Sequence, residues 1–303
     1  MKIEALKNNP TLLTDESQVI YKEANQKVEI KHVLKNTGGY IRKIDKDHYY
    51  TVRDGEVHKF NHKAKSRKDT INSLKRSFSR LKELIDINCT EPKKVQFITF
   101  TFREVVRDTQ VVYDSFKKFN YRYKRYLKKH NLPSEFSYIV VLEAQGPKHG
   151  YCWHLHCLYI FKNCKKAPYV HNDTLQNDIW KLGHTKISSL RGIKSISNYL
   201  VSYLTDVCLD EEDIKKLTGK KGAKAIVKNE RLKYYPVGVR LFRTSRNIIR
   251  PTITKMTEAE AQQKLGNNSV LTYEKTIRIS NYENTTINIV NYRHYDKLET
   301  KKK

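Results

Sequence analysis

Trp153-His154-Leu155-His156-Cys157 lies inside a mainly apolar run, residues 151–161, whose composition predicts a β-strand. Side chains alternate between the two faces of a strand, so His154 and His156 share one face. Trp153, Leu155 and Cys157 are expected to point the other way, into the core. Two imidazoles on one rigid face supply half of a metal site. An H-x-H pair alone is weakly specific, so the neighbouring sequence decides its interpretation.

Two other runs predict strands that can pair with the histidine strand. Residues 136–143 form an apolar stretch that ends in Glu143, and the Gly/Pro-rich turn 145–150 connects it to the histidines. A strand, turn and strand of this length most simply form an antiparallel hairpin, which would bring the Glu143 carboxylate beside His154 and His156. Residues 95–102 give the strongest strand signal of the chain, because they are almost all β-branched or aromatic.

Helical periodicity separates these strands. Apolar residues recur every three or four positions from Ile71 to Ile85 and from Val112 to Tyr126, with Lys and Arg filling the other positions. A short helix capped by Asp173, a strand at 185–188 and a tyrosine-bearing helix at 195–209 are also expected.

The order of these elements predicts an α+β fold with a mainly antiparallel sheet and flanking helices over residues 66–210. Residues 1–65 are expected to form a basic N-terminal extension. Residues 211–303 are expected to form a basic C-terminal region with short strands, and a charged loop or linker is expected at 210–235.

The charge of the chain points to a polyanionic partner. There are 59 Lys and Arg residues against 32 Asp and Glu, which gives a formal net charge of +27. Nucleic acid is the commonest partner of such proteins, and an anionic membrane is the rival. No apolar run approaches the roughly 20 residues of a membrane span, so no membrane association is expected. Five irregularly spaced cysteines predict no disulfide framework, and residues 1–10 lack a signal-peptide core, so a cytoplasmic location is predicted.

Glu143, His154 and His156 together suit a divalent cation, Mg²⁺ or Mn²⁺, that also binds a phosphate oxygen. His149 is a weaker candidate, because it lies in the turn and is expected to be exposed. Cys152 shares the face of the two histidines, which leaves a structural zinc site as an alternative.

Tyr199 and Tyr203 lie one helical turn apart and are therefore neighbours on one face. They can be packing residues, or one hydroxyl can act as a nucleophile. A phenol with a pKa near 10 reacts poorly at neutral pH and needs a metal or a base to activate it.

The ordered set of motifs resembles the rolling-circle replication initiators, the Rep proteins of plasmids and phages in the HUH endonuclease superfamily, of the type with a YxxxY motif. The resemblance covers residues 66–250 and rests on the strand 97–102, Glu143, the two histidines, Trp180-Lys-Leu-Gly183 and the two tyrosines. It implies a ferredoxin-like or RRM-like core. It also implies that His154, His156 and Glu143 bind the metal and that Tyr203 is the primary nucleophile, with Tyr199 as the second.

Under this resemblance the reaction nicks one DNA strand at an origin, giving a 5′-phosphotyrosine and a free 3′-OH, and later joins strands. The implied substrate is single-stranded or hairpin origin DNA. Because no G-x-x-x-x-G-K-[ST] phosphate loop is present, unwinding and synthesis would depend on a host helicase and DNA polymerase.

Lys194, Arg243 and Arg246 are predicted to contact DNA, the two arginines because Arg243-Thr-Ser-Arg246 resembles a late Ser-Arg element of Rep proteins. Such proteins often carry lysines where this chain has Ser202 and Asp206. The missing charge would then come from Lys194, or from the lysines at 215 and 216.

Two alternatives remain at this point. The first is a conjugative relaxase or a single-tyrosine transposase, which keeps the chemistry and changes the role. The second is a non-catalytic nucleic-acid-binding protein. Paired tyrosines favour the initiator, since two nucleophiles suit successive cleavage and joining. The net charge fits all three, because phosphate contacts give affinity without sequence information.

Overall fold

The structure, a computed structural model, describes residues 2–6, 13–34, 41–51, 55–60, 62–63, 65–209, 225–280 and 283–298. Its α-helices are α1 (Ile71–Asn88), α2 (Thr109–Lys129), α3 (Asn172–Thr174), α4 (Ile196–Thr205) and α5 (Glu258–Leu265). A π-helix at Leu175–Trp180 continues α3, and a 3-10 helix spans Glu230–Tyr234. Among these described residues, none of the helices has the length and apolar character that a bilayer crossing requires.

Sixteen strands pair within the described residues, and every pairing is antiparallel. The predicted α+β class with a mainly antiparallel sheet is therefore confirmed. The strands are β1 (Lys2–Leu6), β2 (Gln18–Ala24), β3 (Lys27–Val33), β4 (Ile41–Lys43), β5 (His48–Thr51), β6 (Val57–Lys59), β7 (Val95–Thr101), β8 (Ser137–Ala144), β9 (Trp153–Ile160), β10 (Thr185–Ser188), β11 (Val207–Leu209), β12 (Ala225–Val227), β13 (Phe242–Thr244), β14 (Thr252–Thr257), β15 (Ser269–Ser280) and β16 (Thr286–Lys297).

The chain divides into two compact units that differ from the three predicted segments. Unit 1 combines residues 1–62 with 249–303, and unit 2 is the intervening stretch 63–248. The physical reason is strand pairing at long range, because β3 pairs with β16 and β2 pairs with β14. The N-terminal extension and most of the C-terminal region thus share one hydrogen-bonded sheet.

Unit 1 contains a six-stranded sheet in the order β1-β15-β16-β3-β2-β14. Helix α5 covers part of it, and its apolar side joins a small buried cluster made of Val19, Tyr21, Val28, Ile30, Ala261 and Leu265. A capping box at Thr257 and Glu260 starts this helix. Arg293 donates to both carboxylate oxygens of Glu258 at 2.6 Å, and both side chains are buried.

Unit 2 contains a five-stranded sheet in the order β10-β7-β9-β8-β13. The predicted hairpin is confirmed, since β8 pairs with β9 in a register that sets Glu143 opposite His154. The strongest predicted strand is β7, which borders β9 on the other side and sets Thr99 opposite His156. The histidine strand is therefore central in its sheet.

Helices cover the two faces of this sheet. Helix α2 packs on one face, where Phe116 and Phe119 lie against Phe100 and Tyr159. Helices α1 and α4 pack against each other, and α4 lies on the opposite face, where Tyr199 contacts Phe97. The alternation of side chains along β7 and β9 explains this division. Trp153, Leu155 and Cys157 are buried, as predicted for the core.

The segment Trp180-Lys-Leu-Gly183 is held close to the end of β7. Leu182 accepts a hydrogen bond from the Arg103 amide at 2.8 Å, and Trp180 donates from its indole to the Thr101 carbonyl. A Cβ on Gly183, whose φ is +150°, would lie 2.3 Å from the Thr101 oxygen. Only glycine tolerates this approach. The predicted cap at Asp173 is wrong by two residues, because the His171 side chain accepts the Asp173 amide instead.

The helix predicted at 195–209 ends earlier, at Thr205. Asp206 is extended and caps it, and residues 207–209 form the strand β11. The predicted linker 210–235 is likewise partly ordered. It contributes β12 and the 3-10 helix Glu230–Tyr234, while residues 210–224 lie outside the described residues.

Candidate functional site

Two imidazoles and one carboxylate meet on the α4 face of the unit 2 sheet. The Nε2 atom of His156 lies 2.6 Å from Oε2 of Glu143, and Nδ1 of His154 lies 3.7 Å from the same oxygen. His156 and Glu143 are buried, whereas His154 is partly open to solvent. The face and the neighbouring strand predicted for these three residues agree with their positions here.

The orientation of His156 is fixed at both ring nitrogens. The Thr99 hydroxyl lies 3.0 Å from Nδ1, on the side away from Glu143. A neutral ring that donates from Nε2 to Glu143 accepts the Thr99 hydroxyl at Nδ1. Both contacts follow from the register, since Thr99 and Glu143 stand on the strands that flank β9.

Arg231 completes this cluster and was missed by the sequence reasoning. Its guanidinium donates to Oε1 of Glu143 at 2.9 Å, to the Ala144 carbonyl at 2.8 Å and to the Asp206 carbonyl at 2.9 Å. One buried side chain thus ties the end of β8 to the C-terminal end of α4. Arg231 lies in a charged stretch without periodicity, so no local signal distinguished it from the other basic residues.

The electrostatics keep the carboxylate ionised and the outer imidazole neutral. Burial raises the pKa of Glu143, but the hydrogen bond from His156 and the positive charge of Arg231 outweigh this and hold the pKa below its usual value. Burial lowers the pKa of His154 to about 4, with Glu143 opposing the shift in part. His154 is therefore neutral at physiological pH, which is the form that binds a metal.

The two tyrosines lie directly over this cluster. Their hydroxyl oxygens are 2.9 Å apart, and the Tyr203 ring centroid is 4.0 Å from that of His156. Both rings also contact Phe97. Burial, and then the hydrogen bond with Tyr199, raise the pKa of Tyr203 above its usual value. The phenol thus stays protonated at neutral pH unless another group activates it.

Helix α4 presents the tyrosines because its remaining side chains fix its rotation. Its N-cap Ser195 accepts the Asn198 amide, and Ile196, Leu200 and Leu204 are buried. Positions 199 and 203 lie one turn apart beside that buried stripe, so both rings stay over the histidine strand.

The donor set fits a divalent cation by its chemistry, with imidazole nitrogens and an ionised carboxylate on one face. Among the residues that the structure describes, however, no three His, Cys, Asp or Glu side chains are arranged as ligands of one ion. The hydrogen bond from His156 occupies one oxygen of Glu143, and Arg231 occupies the other. A cation bound here would have to replace the hydrogen bond between His156 and Glu143.

Two other candidate ligands lie apart from this cluster. His149 is exposed in the turn before β9, as expected. Cys152 is buried, and its sulfur lies 3.4 Å from the Val106 amide nitrogen, in the loop after β7.

The predicted DNA-contacting residues have different surroundings. Lys194 is exposed just before α4, and Arg246 is exposed beyond β13. Arg243 stacks over the Tyr113 ring at 3.4 Å, on the face of the sheet that carries α2 and not the tyrosines. The lysines at 215 and 216 lie outside the described residues.

Ser202 and Asp206, at the positions where lysines were expected, help to end α4. The Ser202 hydroxyl donates to the Tyr199 carbonyl at 2.7 Å. Asp206 accepts the Thr205 hydroxyl and the Asn229 amide.

Residues 95–207 match a family of replication-associated proteins of the ORF2 type. The match runs from β7 to the first residue of β11, and so includes the histidine strand, Glu143 and both tyrosines. It supports a replication-associated protein and an interaction with DNA. Comparisons with curated proteins and with solved structures gave no match.

Proposed function

We propose that this protein is an HUH-type initiator of rolling-circle replication that nicks one DNA strand with Tyr203. The single observation that carries the proposal is the stacking of the Tyr203 ring on His156, 4.0 Å between centroids, beside Glu143 and His154. The family match over the same residues supports the replication role.

In the proposed reaction, the Tyr203 oxygen attacks the scissile phosphorus and the bond from phosphorus to the 3′ oxygen breaks. The phenolic proton leaves Tyr203, and the Tyr199 hydroxyl, 2.9 Å away, is an acceptor already in place. The departing 3′ oxygen gains a proton and becomes the free 3′-OH. Mg²⁺ or Mn²⁺ held by His154, His156 and Glu143 would neutralise the charge that builds up on the phosphoryl oxygens. Tyr199 then serves the second cleavage, so that strands can be joined.

The decisive experiment detects the covalent intermediate. Single-stranded oligonucleotides that tile the replicon encoding the protein are incubated with it and Mn²⁺, and adducts are located by denaturing gel and peptide mass spectrometry. We expect wild type to form a 5′-phosphotyrosine adduct at Tyr203. Tyr203→Phe should bind the same oligonucleotide without forming it, and the exposed Tyr169→Phe is the matched control. Cleavage by Tyr203→Phe but not by Tyr199→Phe would reverse the two roles.

The metal is tested separately from activity. Titration calorimetry with Mn²⁺ should give one binding event in wild type that is lost in His154→Ala, together with adduct formation. The control is His149→Ala, which removes an exposed imidazole a few residues away. Unchanged Mn²⁺ binding in His154→Ala would refute the metal site.

A non-catalytic nucleic-acid-binding protein is the second candidate, and one observation favours it. Both oxygens of Glu143 already have donors, so the cluster is satisfied without a cation. Wild-type binding to the tiled oligonucleotides without any adduct, in Mg²⁺ or Mn²⁺, would support this candidate. A relaxase or transposase would form the adduct but would act on a different DNA. The host helicase and DNA polymerase remain proposed partners of the initiator.

A further inference from the structure

We infer that the outer face of α2 is a second DNA-binding surface, which holds a single-stranded segment on the side of the sheet opposite the tyrosines. The inference extends the proposed function, since a nicked strand leaves single-stranded DNA to be held. The surface is defined by Lys117, Lys118, Tyr121, Arg125 and Lys128.

The charge on this helix is one-sided. Seven of its 21 residues are Lys or Arg, and Asp114 is its single acidic residue. Asp114 accepts hydrogen bonds from the Gln110 side chain at 3.1 Å. Within the described part of the chain, the basic residues of the surface form no ion pair. These uncompensated cations lie along one side of a long helix, and a polyanion is the partner whose charge complements them.

An aromatic ring lies in the middle of these cations. The Tyr121 side chain is 71% exposed, although the tyrosine one half-turn later, Tyr123, is fully buried. A shallow depression beside it is lined by Lys117, Lys118 and Arg122. An exposed ring surrounded by positive charge is the combination with which proteins bind single strands, because bases stack on the ring while cations follow the phosphates.

The position of α2 separates this surface from the nucleophiles. Its buried face contacts Phe100 and Tyr159, whereas the tyrosines contact Phe97 and His156 across the sheet. A strand bound to α2 therefore does not compete with a strand lying at Tyr203. The same molecule can hold one segment while it acts on another.

The test uses the full-length protein and a fluorescent oligothymidylate longer than about 16 nucleotides, the upper site size of a single-strand binding fold. Affinity is measured by anisotropy at several salt concentrations. Lys117→Gln, Lys118→Gln and Lys128→Gln combined should lower the slope of log K against log salt by about 2, since each phosphate contact contributes about 0.7. Tyr121→Leu should weaken binding about tenfold, and Tyr121→Phe should restore it.

The matched control combines Lys162→Gln, Lys165→Gln and Lys166→Gln, three exposed lysines in the loop after β9. It removes the same charge and should change the slope by less than about 1. Equal slope changes in both triple variants, or no effect of Tyr121→Leu, would overturn the inference. The proposed nicking is judged independently by the adduct of wild type: an adduct with unaltered α2 variants refutes only the surface, and α2-dependent binding without an adduct refutes only the nicking.

Discussion

Replacing Arg231 by methionine should destabilise unit 2 more than any change of a surface charge. The substitution keeps most of the length of the side chain and removes its charge and all its donors. Three acceptors then lose a partner: Glu143 and the carbonyls of Ala144 and Asp206. Glu143 is 5% exposed, so water cannot replace the lost guanidinium fully.

The magnitude follows from the burial of the pair. Removing one partner of a buried ion pair costs about 3–5 kcal/mol, because the remaining charge stays desolvated. Arg231→Lys keeps the charge but not the planar fork that reaches three acceptors, so a loss of about 1.5–3 kcal/mol is expected. In a double-mutant cycle with Glu143→Gln, the two losses should fall short of additivity by about 1–3 kcal/mol.

Urea unfolding followed by tryptophan fluorescence measures these free energies. The protein has two tryptophans, Trp153 and Trp180, and both are buried in unit 2, so the signal reports on that unit. Arg80→Gln, an exposed arginine of α1, is the control and should stay within about 0.5 kcal/mol of wild type. A loss below about 1 kcal/mol for Arg231→Met would refute the reasoning, since His156 alone would then compensate Glu143.

Three other perturbations test the packing of both units. Gly183→Ala should cost more than about 3 kcal/mol in the same assay, because its Cβ would meet the Thr101 carbonyl oxygen at 2.3 Å, whereas Gly192→Ala, with open space at φ +76°, should cost about 1–2 kcal/mol. Tyr123→Phe should cost about 1–3 kcal/mol, because the buried Gln96 loses the hydroxyl that donates to it at 2.6 Å. In unit 1, burial raises the pKa of Glu258, but hydrogen bonds from Arg293 and Gln262 outweigh it and hold the pKa below the ordinary 4.5. Its stabilisation is thus complete above about pH 4.5 and lost as the pH falls through the folded-state pKa, so Glu258→Gln should flatten the acid limb of stability measured by circular dichroism; an unchanged limb would contradict this.

The sheet of unit 2 was predictable because its strands carry strong local signals. The apolar and aromatic runs that became β7, β8 and β9 are bounded by turns, and the short turn 145–150 leaves an antiparallel hairpin as the simplest connection. The register then follows, and with it the approach of Glu143 to the histidines. The sheet of unit 1 was not predictable in this way. Its strands are polar on one side, and its pairing of β3 with β16 joins residues that are far apart in the sequence.

The candidate site shows the same contrast. Period arguments put the two histidines on one strand face and the two tyrosines on one helix face, and both arrangements hold. Nothing in a single sequence reveals that Arg231, 88 positions after Glu143, returns to its carboxylate. That contact depends on where the chain goes after α4, and a charged stretch without periodicity does not encode its path.

The division of unit 1 between two distant segments has a consequence for biosynthesis. Unit 2 is an insertion, so its whole sequence leaves the ribosome before β14, β15 and β16 exist. The nascent hairpin of β2 and β3 then has two unpaired edges while unit 2 can already fold. Translation therefore delivers the domain with the tyrosines first, and the enclosing sheet can close only after release of the downstream strands.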